Sequence, residues 1–116
     1  MKIRIETDGS AITATLNDSE AARDFASLLP LSVTLEDYAS TEKIATLPRR
    51  LSTTGAPAGS DPDAGDIAYY APWGNLAIYY RDFRYSDGLV KLGRLDGGVD
   101  VLRRANGRAT IVRADP

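Results

Sequence analysis

Between residues 65 and 80 the sequence runs GDIAYYAPWGNLAIYY, which holds four of its six tyrosines and its single tryptophan. Each such ring offers a flat apolar body with one polar handle, the chemistry of a wall that grips a peptide or another flat ligand. Arg49 and Arg50, adjacent after Leu47-Pro48, add a second chemistry. Two neighbouring guanidinium groups can clamp a carboxylate or phosphate through paired N–H donors. Tyr69, Tyr70, Trp73, Tyr79, Tyr80, Arg49 and Arg50 are therefore the candidate ligand-binding residues. The competing interpretation is that the rings fill a β core and the arginines are solvated surface.

Other chemistries fall away. The chain has no histidine and no cysteine, which removes imidazole bases, thiol nucleophiles, disulfides and the usual zinc or copper ligands. No catalytic residue is assigned. Asp61, Asp63 and Asp66 alternate as in a loop that wraps a hard cation, but the EF-hand spacing and its distal glutamate are missing, so the run reads as a soluble turn and no metal is assigned. Gly93, Gly97 and Gly98 lack the lysine and serine or threonine of a phosphate cradle and read as turn glycines. No cofactor is implied. A net charge of −2 and a pI of about 5.0 argue against nucleic acid as a partner. The start MKIRIETDG has no apolar leader, and no run is long and apolar enough for a membrane span, so a soluble cytoplasmic protein is expected.

These residues need elements to position them. Ile3 and Ile5, then Ile12, Ala14 and Leu16, alternate with polar residues around a DGS turn, the pattern of a hairpin with one buried face. NDSEAARDFASLLP changes period: Ala21, Ala22, Phe25, Leu28 and Leu29 share one stripe of a helix capped by Asn17 and ended by Pro30. LSVTLEDY and EKIATLP read as further strands. Residues 49–65, rich in Ser, Thr, Gly, Pro and Asp, read as a long loop, functional or mobile. The aromatic stretch divides into strands Asp66 to Ala71 and Leu76 to Arg81 around PWGN; a Ser86-Asp87-Gly88 turn, a strand Leu89 to Leu95, a second short helix with Val101, Leu102 and Ala105 inward, and a closing strand RATIVRAD follow. At 116 residues there is room for one domain, and the sum is mainly β: about eight strands in a closed antiparallel barrel capped by two short helices.

The segment DGLVKLGRLDGGVDVLRRANG resembles the cyclophilin segment in which a strand written aromatic-Gly-Lys-Val leads into a helix opened by Gly-hydrophobic-acid-Val-Val. Here those positions are Leu92-Gly93-Arg94-Leu95 and Gly98-Val99-Asp100-Val101-Leu102. With its Leu-Leu-Pro helix end, later Leu-Pro and Gly-Asp-Ile strand entry, the whole chain is similar to small bacterial cyclophilin-like proteins. The resemblance implies an eight-stranded cyclophilin-type barrel with two capping helices, in a family of largely uncharacterised activity. Cyclophilins polarise the prolyl amide with an arginine in a Phe-His-Arg-Val-Ile-Pro strand. The corresponding stretch here is KIATLP, and Arg49 and Arg50 come after it; the Gln-Phe pair falls near Ala77 and Ile78.

The expectation is a non-catalytic cyclophilin-like domain that binds a peptide or small anionic molecule beside the tyrosine strands and the Arg49 loop. A weak peptidyl-prolyl cis-trans isomerase using Arg49 or Arg50 is the alternative, and a homo-oligomeric structural module the second. At least two tyrosine or tryptophan rings partly exposed in one groove near an arginine would support binding; burial of all five would oppose it.

Overall fold

In the computed structural model, which describes residues 1–114, the opening alternation forms a hairpin: β1 (Lys2–Thr7) and β2 (Ser10–Leu16) pair antiparallel around Asp8-Gly9. Gly9 takes φ +78°, a left-handed conformation that costs glycine little. Ile3, Ile5, Ile12, Ala14 and Leu16 all point inward.

Helix α1 (Glu20–Ala26) buries Ala21, Ala22, Phe25 and Ala26 over one end of the barrel. Its N-cap is Ser19 rather than Asn17: the Ser19 hydroxyl accepts from the Ala22 amide, and Asn17 Oδ1 accepts from Ser19 instead. The true cap lies two positions later because the helix needs its cap oxygen next to the first free amides.

Strands β3 (Leu31–Tyr38), β4 (Glu42–Thr46), β5 (Gly59–Ser60), β6 (Asp66–Tyr70), β7 (Asn75–Tyr79), β8 (Ser86–Asp87) and β9 (Leu89–Leu95) follow, then helix α2 (Val99–Arg104) and β10 (Gly107–Arg113). Eight strands close a barrel in the order β1-β10-β3-β4-β7-β6-β9-β2, every pair antiparallel, while β5 and β8 form a separate two-stranded sheet. Ser86 and Asp87, expected as a turn, are thus strand partners of Ser60 and Gly59. Closure leaves the barrel no free edge.

The inner core holds Ile67, Tyr69, Leu76, Ile78 and Tyr80 with Leu92, Leu95, Leu102 and Ile111. Leu102 is the fully buried contact of α2, and Val101 and Ala105 pack beside it. Gly93 is a close-approach glycine rather than a turn: a Cβ there would stand 2.2 Å from the Thr15 carbonyl oxygen, where β9 crosses β2. Gly98 does take a left-handed φ of +79°, at the entry to α2.

Residues 49–65 are tied to the body rather than loose. Arg49 donates to both Asp24 carboxylate oxygens, at 2.8 and 2.9 Å, and Asp24 also accepts the Ser52 amide at 2.7 Å. Leu51 is buried, with its amide on the Tyr69 hydroxyl, and Ser60 Oγ donates to the Leu89 carbonyl. The polar composition supplies the partners that hold the segment down, which composition alone does not disclose.

Candidate functional site

Alternation on β6 and β7 sends Ile67, Tyr69, Leu76 and Ile78 into the barrel and Ala68, Tyr70, Ala77 and Tyr79 to its outer face. Ladder register then assembles rows across that face. Tyr38, Glu42 and Tyr79 lie side by side on β3, β4 and β7; Glu36, Ile44, Ala77 and Ala68 form the next row; Asn75 and Tyr70 the third. The alanines of the middle row are fully buried and pack with Tyr79, Leu89, Ile44 and Tyr70, which leaves Ile44 and Asn75 between the taller rings. A hollow of about 320 Å³ results, walled by Tyr38, Tyr70, Trp73, Tyr79 and Phe83, with Arg84 at its rim.

The turn between β6 and β7 lifts Trp73 over this hollow. Its indole meets Tyr38 and Tyr70 edge-on, with ring centroids 5.5 and 5.3 Å apart, and yet 57% of Trp73 remains exposed. Tyr38 is 43% exposed and Tyr70 half-buried. Large rings held by one another but open to solvent are the usual composition of a recognition surface.

Glu42 sits within this aromatic wall, buried to 8% exposure. Its partners are the hydroxyls of Tyr79 and Thr41. Among the described residues no lysine or arginine forms an ion pair with it. Burial raises its carboxyl above the ordinary range, against the lowering effect of those hydroxyls. Burial, and then Glu42 itself, push the Tyr79 phenol upward, so Tyr79 stays a neutral donor. Asn75 is 9% exposed, and its Oδ1 has no hydrogen-bond partner.

A second hollow of about 360 Å³ adjoins the first, sharing Ile44 and Asn75. It opens because β3–β4 pairing stops at Glu36 and Ile44: the rest of β3, Leu31 to Leu35, pairs with β10, while β4 keeps its other partner β7 through Thr46. Glu36, Thr46 and Arg108 line it. The two hollows make one continuous groove along β4.

The candidate residues divide around this groove. Tyr70, Trp73 and Tyr79 line it. Tyr69 and Tyr80 turn inward: the Tyr69 hydroxyl accepts the Leu51 amide, and Tyr80 donates to Asp37 beside the buried Lys43. Arg49 is held by Asp24 on α1 and by Ser27 at its C-cap, and Arg50 donates to the Ala71 carbonyl at 2.7 Å, at the base of the Trp73 turn. Neither arginine lines the groove; Arg84 does. Asp66 is engaged by Lys91 at 3.1 Å and Arg94 at 2.6 Å, while Asp63 donates its amide to it. Tyr38, Glu42, Asn75 and Phe83 join the site unannounced; Tyr38 and Glu42 do so because strand pairing alone brings β3 and β4 beside β7.

Such a molecule is a closed antiparallel β-barrel with an aromatic-lined groove on its outer wall. The chain belongs to the cyclophilin-like family, which it matches over residues 5–112. Among solved structures it is similar to a hypothetical protein from Archaeoglobus fulgidus, with a TM-score of 0.72, 18% identity, and coverage of 98% of this chain and 95% of that one. At that identity the likeness is one of fold. No curated protein matches the chain. Among the described residues no helix is long and apolar enough to cross a membrane.

Proposed function

We propose that this cyclophilin-like domain is a binding module without catalytic activity, and that its outer groove takes a peptide in extended form. The observation that carries this is Trp73, more than half exposed yet fixed edge-on between Tyr38 and Tyr70 on the wall of the hollow. Those rings give affinity through apolar contact, and the adjoining hollow beyond Asn75 gives length for several residues. Arg49, paired with Asp24, is not available to a small anion; within the groove such a ligand would rely on Arg84 and Arg108, with Glu42 and Glu36 beside them.

For an isomerase built on Arg49 or Arg50, the guanidinium would have to reach a prolyl nitrogen in the groove. Both groups are turned to other partners, and preorganised electrostatics of that kind depends on placement. Trp73 is the single tryptophan, so its emission reports the groove directly. Titration with pools of acetylated, amidated decapeptides is expected to shift that emission saturably, with no acceleration of prolyl isomerisation. A flat titration, or concentration-dependent self-association that blocks the shift, contradicts the proposal.

A further inference from the structure

We infer that the aromatic end of the groove receives a positively charged side chain, lysine or arginine, of the bound peptide, with Glu42 as its counter-ion. The inference rests on the peptide-binding proposal and adds its chemical selectivity. Two features converge on it. First, Tyr38, Tyr70 and Trp73 present ring faces and edges around one hollow, and a cation is attracted to an aromatic face within about 6 Å of its centroid. Second, Glu42 is a buried carboxylate whose partners are two hydroxyls; an arriving ammonium or guanidinium would offset the desolvation that burial imposes on it.

Charges of both signs line the two hollows, Glu42 and Arg84 in this one and Glu36 and Arg108 in the next. The Arg84 guanidinium lies over the Phe83 ring, 4.8 Å from its centroid, which leaves Glu42 and the Tyr38, Tyr70 and Trp73 rings to an incoming cation. A volume of about 320 Å³ accommodates either long basic side chain.

The test compares acetylated, amidated heptapeptides identical except for a central lysine, arginine or norleucine, followed by Trp73 emission and calorimetry. The lysine or arginine peptide is expected to bind at least tenfold tighter than the norleucine peptide. Glu42→Gln, which keeps the shape and removes the charge, is expected to bring the affinity of the lysine and arginine peptides to that of the norleucine peptide for the same variant. Tyr38→Leu, an exposed position that leaves the barrel intact, is expected to reduce the preference in part. Equal affinity of the three peptides overturns the charge selectivity and leaves peptide binding standing. A preference that survives Glu42→Gln overturns the role of Glu42. Absence of any response overturns both proposals together.

Discussion

Trp73, on the turn between β6 and β7, meets Tyr38, at the end of β3, edge to face at 84° and 5.5 Å. The two residues are 35 positions apart in sequence, and their meeting forms one wall of the groove. Because each edge-to-face pair contributes about 0.5–1.5 kcal/mol and Trp73 is largely exposed, Trp73→Ala is expected to lower stability by only about 1–2 kcal/mol. Peptide affinity, in contrast, is expected to fall at least tenfold. Urea denaturation followed by circular dichroism, paired with calorimetric titration, separates the two effects.

Arg50 acts through the same turn. Its guanidinium bonds the Ala71 carbonyl and its side chain lies against Gly74, which holds φ +69°. Arg50→Ala is expected to release Trp73, with a red-shifted emission and a several-fold loss of peptide affinity but a stability change within about 1 kcal/mol. An unchanged emission maximum would show that the arginine does not position the ring.

Asp24 carries a pH dependence. Its hydrogen bonds from Arg49, first, and from the Ser52 amide hold the carboxyl at about 2 against an ordinary 3.8. A carboxyl depressed in the folded state stabilises above the unfolded value and loses that contribution as pH falls through the folded one. Stability is therefore expected to drop between about pH 4 and 2, and Asp24→Asn, costing about 1–2 kcal/mol at neutral pH, is expected to flatten part of that fall. Thermal melts of both proteins across that range provide the measurement.

Two interior positions test the fold. Tyr69→Phe leaves the buried Leu51 amide without its acceptor and is expected to cost about 1–3 kcal/mol. Gly93→Ala drives a methyl into the Thr15 carbonyl, a backbone atom that cannot swing away, and is expected to cost about 3 kcal/mol or prevent folding. Expression yield and denaturation midpoints report both.

Much of this barrel is visible in periodicity, since Ile67 and Tyr69 against Ala68 and Tyr70 state which residues face in and out. Alternation does not say what covers the outer face. Tyr38, Glu42 and Phe83 come from segments whose neighbours are decided by strand order, and strand order is a tertiary fact. Arg49 and Arg50 are conspicuous in sequence for their charge, yet Asp24 and the Ala71 carbonyl absorb it. Glu42, unremarkable among sixteen acids, becomes distinctive only once it is buried without a cation.

Backbone amide chemical shifts, recorded as the central-lysine heptapeptide is added, test the groove most directly. Saturable shifts are expected to concentrate at Tyr38, Glu42, Ile44, Tyr70, Trp73 and Asn75. Shifts centred instead on Asp24, Arg49 and Ser52, or none at saturating peptide, would contradict binding in the groove.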